Sequence, residues 1–407
     1  MLQYQLKMED APVLRLLDAI IVQGLETRAS DIHLEPGTDL NQIRYRIDGV
    51  LQQAQRISME RHTALVSCVK LMAGMDIAEK RKPQDGRAQV THEGKRIDLR
   101  LSSLPTIYGE KIVIRVLDSG TGQLCLDDMG FTEENLTRYR SIYHSSYGLV
   151  LITGPTGSGK TTTLYATLQE LNRPERNIIT IEDPVEYRMD GVNQVALNTK
   201  IGMTFASGLR SILRQDPNII MIGEIRDRET AEISIQAALT GHLVFSTLHT
   251  NTAAGAVTRL LDMGIEPFLV ASALRGVVAQ RLVRKLCPVC KEEYVVDTAW
   301  EEAFFQDFLH VDITHDAVIA QQNFTLYHPK GCEECRHSGY RGRLAVHEVM
   351  PVTMALKDRI IHHASEQELW AAAKTEFPGL TSLAEDGMYK VNEGLTSVQE
   401  LLRVLVV

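Results

Sequence analysis

The chain has 407 residues, 44% of them hydrophobic and 23% charged, which sets it apart from disordered, collagen-like and coiled-coil chains. At ~100 to 200 residues per domain, this length predicts two or three domains. A formal net charge of -9 excludes a surface coated for non-specific nucleic-acid binding. No apolar run approaches the ~18 to 20 residues that span a bilayer, and the opening MLQYQLKMED lacks the basic and apolar regions of a signal peptide. The expected location is the cytoplasm. Six cysteines are too few for a disulfide scaffold, and four of them fall in two CxxC pairs, a metal-binding pattern in a reducing compartment.

Residues 12–28 carry Val13, Leu16, Leu17, Ile20 and Ile21 at the spacing of one helix face. Residues 31–36 and 43–47 then alternate at period two, and Asp48-Gly49 supplies a tight turn, the pattern of a hairpin. A helix from an N-cap at Ser58 to about Gly74 precedes a second alternating pair, residues 87–91 and 96–101, turned at Glu93-Gly94. A third strand covers 111–117. Strands mixed with two helices, and no phosphate loop among them, predict an α+β domain over residues 1–118. Within it Cys68 is expected in the core, whereas Cys125, further on, has no partner in the pattern. Residues 119–122, Ser-Gly-Thr-Gly, read as a linker to a second domain over 123–407. No internal repeat or low-complexity tract interrupts the chain.

Residues 148–153, GLVLIT, suit a buried parallel strand. They run directly into Gly154, Pro155, Thr156, Gly157, Ser158, Gly159, Lys160 and Thr161, and from Thr162 a helical pattern continues to Leu171. This is GxxxxGK[ST] in its strand-loop-helix setting. The glycines let backbone N–H groups turn inward onto phosphate oxygens, Lys160 brings charge to the β and γ phosphates of ATP, and the Thr161 hydroxyl can ligate Mg2+. Two acidic stations follow further apolar runs. Residues 178–181 lead into Glu182 and Glu186, and residues 219–222 lead into Glu224, which puts carboxylates at the edge of a parallel sheet where open α/β folds bind ligands. One carboxylate is expected to hold Mg2+ through water and another to orient the attacking water. A further apolar run, 243–246, lies between His242 and His249, both candidates for sensing the γ-phosphate.

These segments carry a family resemblance. GPTGSGKTTTLY at 154–165, IEDPVEY at 181–187, LRQDPNIIMIGEIRDRETAE at 213–232 and TGHLVFSTLHTNTA at 240–253 resemble the four signature boxes of the type II secretion and type IV pilus assembly ATPases. The likeness extends through RASDIHLEP at 28–36, YRIDGVL at 45–51, KPQDGR at 82–87 and EDGMYKVNEGLTS at 385–397, so it covers nearly the whole chain. It implies an α/β, RecA-like P-loop domain, with a PAS-like N-terminal α+β domain that moves against it as ATP turns over. It also implies a homo-hexamer, held peripherally at the inner membrane by platform and docking proteins, that powers pseudopilus or pilus assembly. By the same resemblance Glu224 occupies the acidic position of the second box and Glu186 is the choice for general base; the division of roles among Glu182, Glu186 and Glu224 stays open. Arg100 in DLRLS and Arg115 in VIRVL sit where the family places first-domain arginines that reach the γ-phosphate, a role that suits their charge.

Cys287-Pro288-Val289-Cys290 and Cys332-Glu333-Glu334-Cys335 are two knuckles bounding a module over 287–335. Four thiolates at this spacing suit tetrahedral, structural Zn2+ with no open coordination position, so His328 and His337 are not expected as ligands. Residues 300–308 read as a helical face of that module. Within the family the quartet favours assembly or secretion over retraction. Secretion members usually carry a further N-terminal docking domain, whereas this sequence starts almost at RASDIHLEP; either a segment precedes it or docking uses another surface. Two rival readings are a nucleotide-binding assembly scaffold with little turnover and a DNA-uptake or conjugation motor of the same fold. The set Lys160, Thr161, Glu186, Glu224 and His249 argues for hydrolysis, and the acidic balance argues against direct DNA contact.

Overall fold

A computed structural model describes residues 3–4, 12–117, 125–295 and 325–405. The expected linker at 119–122 and the expected helical face at 300–308 lie outside the described residues. The chain divides into two units, Met1–Gly122 and Gln123–Val407.

The first unit is an antiparallel sheet with helices on one face. In chain order its elements are β1 (Gln3–Tyr4), α1 (Pro12–Glu26), β2 (Ala29–Glu35), β3 (Asn41–Ile47), β4 (Val50–Ile57), α2 (Met59–Met72), β5 (Gln84–His92), β6 (Lys95–Thr106) and β7 (Gly109–Leu117). The strands lie in the order β1-β5-β6-β7-β2-β3-β4. Asp48-Gly49 turns β3 into β4, while β2 and β3 pair across residues 36–40, so the predicted hairpin is the first half of a three-stranded meander. Alternation drives the packing. Ile97, Leu99 and Leu101 of β6 are buried together with Leu17, Ile20 and Ile21 of α1 and Leu65, Val66 and Val69 of α2, and the intervening residues of β6 face outward. The Ser58 side chain accepts from Arg61 N and caps α2. Beneath that helix the buried Lys70 ammonium pairs with Glu110 at 2.5 Å. Lys70 also donates to Glu79 O and Ser103 to Glu110, so the desolvated charges have the partners that burial demands. Cys68 is partly buried against this core.

The second unit is built on a largely parallel sheet. After α3 (Glu133–Tyr143) come β8 (Gly148–Thr153), α4 (Lys160–Leu171), β9 (Ile178–Glu182), β10 (Val192–Ala196), α5 (Phe205–Ile212), β11 (Ile219–Ile222), α6 (Arg228–Leu239), β12 (Leu243–Leu248), α7 (Ala253–Asp262), α8 (Pro267–Ala273) and β13 (Leu274–Leu286). A small hairpin follows, β14 (Lys291–Val295) with β15 (Thr325–Pro329), then β16 (Tyr340–Pro351). Four helices complete the described chain, α9 (Met354–Ile361), α10 (Glu366–Glu376), α11 (Leu383–Asn392) and α12 (Val398–Leu405). The strand order is β10-β9-β11-β12-β8-β13-β16, parallel except for the last pair.

All six residues of β8 are buried, as expected of a parallel strand covered on both faces. Its side chains split at period two. Leu149 and Leu151 join one apolar layer with Ile220, Ile222 and Val244, and Val150 and Ile152 join the other with Tyr139, Leu164 and Phe245. No helix among the described residues is long and apolar enough to cross a membrane.

Candidate functional site

The carboxyl ends of β8, β11 and β12 lie side by side because the strands are parallel and in register, Leu248 opposite Thr153 and Ile222 opposite Ser246. Everything that follows these strands therefore meets at one edge. Side-chain hydroxyls suture that edge: Thr153 Oγ1 donates to Leu248 O at 3.1 Å and accepts from Thr250 N at 2.9 Å, and Thr247 Oγ1 donates to Gly223 O at 2.8 Å.

On the opposite side of β8, β13 braces the P-loop. Gln280 donates through Nε2 to Ser158 O at 2.9 Å and accepts through Oε1 from the Thr163 hydroxyl at 2.8 Å. This approach explains two of the glycines. A Cβ on Gly154 would stand 2.4 Å from Gln280 O, and on Gly159, where φ is +88°, 2.8 Å from Gln280 Nε2. Helix α4 starts immediately after Gly159, with Lys160 buried in its first turn and Thr161 and Thr162 exposed there. Its unpaired N-terminal amides and dipole favour an anion. The buried Ser158 hydroxyl has no hydrogen-bond partner among the described residues.

Lys160 Nζ donates to Gly154 O at 2.7 Å and Pro155 O at 3.0 Å. Burial pulls its pKa down to about 8, with Glu224 pulling upward and Arg281 downward. Glu224, two residues past β11, accepts from Arg226 and lies 3.3 Å from His249 Nε2. Burial would raise its carboxyl, but the Arg226 hydrogen bond and charge, with His249, hold it below the ordinary carboxylate range. Lys160, Glu224 and His249, singled out in the sequence, are thus brought together.

The other sequence candidates are placed differently. His242 stands at the amino end of β12, its carbonyl accepting from Gly148 N and its Nδ1 lying 3.0 Å from Ala237 O. A six-residue strand, roughly 20 Å at ~3.3 Å per residue, separates it from His249, so His242 does not join the cluster. Glu182 is buried in the sheet, hydrogen-bonded to Tyr165, Thr180 and Gln194, and Glu186 is half-buried in the loop beyond. In the first unit Arg100 and Arg115 are cross-strand partners on β6 and β7. Arg115 Nε donates to Asp31 Oδ1 at 2.9 Å.

Sequence reading missed two groups. Arg87 pairs with Arg100 across β5 and β6, extending the arginine row to three strands. Arg281 is 7% exposed, donates to Asn251 O and Oδ1 and lowers the Lys160 pKa. Polar residues Gln280 and Arg281 set within the otherwise apolar stretch VVAQRLV at 277–283 were the available signal.

The four knuckle cysteines form a second site. All four sulfurs lie within 4.8 Å of one another, with Cys287–Cys332 at 3.9 Å, Cys290–Cys335 at 3.7 Å and Cys332–Cys335 at 3.8 Å. A tetrahedron with bonds of ~2.3 Å has edges of ~3.8 Å, so this donor set fits a thiolate-bound zinc, whereas a disulfide needs ~2.0 Å. Backbone N–H groups of Cys332 and Gly339 donate to Cys335 Sγ, a second shell that favours thiolate. His328 and His337 instead approach Glu292 and Glu333.

Comparison with known proteins agrees with this arrangement. The family described as Type II/IV secretion system protein matches residues 7–403. The chain belongs to that family. It is 48% identical over 396 residues to the Type II secretion system ATPase E of Vibrio cholerae, covering 97% of this chain and 76% of that protein. It is 47% identical over 395 residues to the Type IV pilus assembly ATPase PilB of Myxococcus xanthus, covering 97% and 68%. Among solved structures it resembles the pilus retraction motor PilT with bound ADP, at 25% identity and a TM-score of 0.62 over 94% of this chain and 95% of that one. The four signature boxes in this secretion-family chain thus supply the P-loop, the Glu182–Glu186 loop, the Glu224 turn and the His249 turn of one half of a sheet.

Proposed function

We propose that this chain is the ATP-hydrolysing motor subunit of a type II secretion or type IV pilus assembly machine. The observation that carries the reading is the convergence of Lys160, Glu224 and His249 at the carboxyl edge of the sheet where α4 begins, within a family whose similar members are secretion and pilus ATPases. The amides at the start of α4 and the Lys160 ammonium bind the β and γ phosphates of ATP. The Thr161 hydroxyl and, through water, an acidic side chain would hold Mg2+, which would supply positive charge at the β and γ phosphates. Glu186 acts as the base that orients water, Glu224 would hold the magnesium ion through water, and His249, 3.3 Å from Glu224, reads the presence of the γ-phosphate. Arg100 and Arg115 supply positive charge to the transferring phosphoryl group when subunits assemble as a hexamer. The cysteine quartet holds structural Zn2+ and carries no step of the reaction. Platform and docking proteins at the inner membrane receive the motion.

The test is steady-state ATP hydrolysis measured together with solution mass, with and without the cytoplasmic domain of the platform protein, for this chain and for Glu224→Ala. Turnover should rise with hexamer formation and fall on the order of 100-fold in the variant. Tight ATP binding without turnover, in a confirmed hexamer with partner present, would establish the scaffold reading instead.

A further inference from the structure

Glu182 ends β9 only 3% exposed, and its carboxylate is closed by three side-chain donors. Oε2 accepts from the Tyr165 hydroxyl, and Oε1 accepts from Thr180 Oγ1 at 2.5 Å and Gln194 Nε2 at 3.3 Å. Two of those donors also reach forward to the loop beyond. The Tyr165 oxygen accepts from the backbone N–H of Glu186 at 3.2 Å. Gln194 accepts through Oε1 from Met189 N at 2.8 Å and donates through Nε2 to Tyr187 O at 3.1 Å. Edge-to-face contact between the rings of Tyr165 and Tyr187, centroids 4.4 Å apart, adds an apolar clasp.

With Glu182 accepting, the Tyr165 and Gln194 hydrogen bonds have a defined sense. A phenol has one proton, and here it goes to Glu182, which leaves the oxygen lone pairs for Glu186 N–H. The Gln194 amide orientation follows in the same way from one N–H donor and two oxygen acceptors. The buried Tyr165 hydroxyl and Glu182 carboxyl would cost several kcal/mol if left unpaired, which favours the loop position that pairs them. Tyr165 also belongs to α4, whose first turn carries Lys160 and Thr161. One side chain therefore joins the phosphate-binding helix to the backbone of the residue assigned as base.

We infer that Tyr165, Glu182 and Gln194 form a positioning device that fixes the Glu186 loop relative to the phosphate-binding helix, with Glu182 as its buried anchor. The inference rests on the reading of Glu186 as the base. Glu182 does not touch substrate in this scheme; it holds the tyrosine that holds the loop.

Tyr165→Phe removes one oxygen and keeps the ring contact with Tyr187. Turnover at saturating ATP should fall on the order of tenfold, while the dissociation constant for ATP stays within about twofold. Amide hydrogen exchange should accelerate in peptides covering 186–189 and stay unchanged in β8 and β12. Gln194→Leu, on a separate strand at the edge of the sheet, should give the same signature through the Tyr187 and Met189 backbone. Unchanged exchange and turnover in both variants overturns the proposal, and so does a loss of protection spread over the whole unit with affinity and turnover falling together. If the unaltered chain hydrolyses no ATP even as a partner-bound hexamer, the proposed function fails, but the exchange comparison still decides whether Tyr165 and Gln194 hold the loop.

Discussion

Strand β13 serves two sites of opposite design. At Gln280 and Arg281 it braces the P-loop edge; at Leu286 it hands the chain to Cys287. At the cysteine end the four sulfurs already stand at the edge lengths of a metal tetrahedron, and no open position is left for chemistry. At the P-loop end the charges engage one another or nearby backbone: Lys160 the carbonyls of Gly154 and Pro155, Glu224 the Arg226 and His249 side chains, Arg281 the Asn251 side chain and carbonyl. The Lys160 contacts are with neutral carbonyls, which phosphate oxygens can replace as acceptors. One end has a closed donor set that suits a retained ion, and the other has an open edge that suits an exchangeable ligand.

The largest effect should come from breaking the closed end. Zinc binding to small thiolate modules is worth ~10 to 16 kcal/mol and is coupled to folding. A strong chelator is therefore expected to release about one zinc per chain and to expose the amides of β14 and β15 to exchange, while the β8, β12 and β13 amides stay protected. Elemental analysis that finds no zinc in the purified chain refutes this half of the comparison.

At the exchangeable end the prediction concerns charge. Lys160→Ala should cut turnover by at least ~100-fold and leave the melting temperature nearly unchanged. In the unaltered chain the ammonium pKa is depressed to about 8 from its ordinary 10.5, and bound phosphate charge restores it upward. ATP binding near pH 8.5 should therefore take up most of a proton, visible by calorimetry in two buffers of different ionisation heat. An uptake of zero, or the same uptake in Lys160→Ala, removes Lys160 from the phosphate site.

The two ends also differ in how much of them the sequence disclosed. Spacing alone identified the four cysteines and the P-loop, because each chemistry requires a fixed pattern along the chain. The apolar runs before Glu182, Glu224 and His249 gave three parallel strands correctly, since strands covered on both faces are continuously hydrophobic. What stayed hidden depends on partners distant in sequence. The burial of Glu182 follows from Tyr165 and Gln194, and the bracing of the P-loop follows from Gln280, residues that carry no motif. His242 and His249 looked equivalent as flanks of one strand, yet a parallel strand delivers only its carboxyl end to the site. Likewise β4 and β10 have mixed burial and no clean alternation, so the period-two signal that exposed β3 and β6 was absent there.

A further predicted effect lies between the two ends, at Glu348 on β16. The residue is 4% exposed, and its carboxyl accepts from Ala253 N at 2.7 Å, at the start of α7. Burial raises it from its ordinary 4.5 to about 7, with Glu385 on α11 adding to the rise, against the amides of Ala253 and Leu383 and the charge of Arg281 on β13. A raised acid binds its proton more tightly in the folded chain than in the unfolded one. Its stabilising contribution is thus complete below about pH 4.5, declines as pH climbs through that window and is gone above about 7, at ~1.4 kcal/mol per unit and roughly 3 kcal/mol at most. Glu348→Gln keeps the acceptor for Ala253 N and has no proton to lose. Denaturant melts at pH 5 and pH 8 should show the variant losing less stability between the two than the unaltered chain. Equal losses in both would mean that Glu348 is ionised in the folded protein, with Arg281 then acting as its counter-ion rather than as a charge directed toward Lys160.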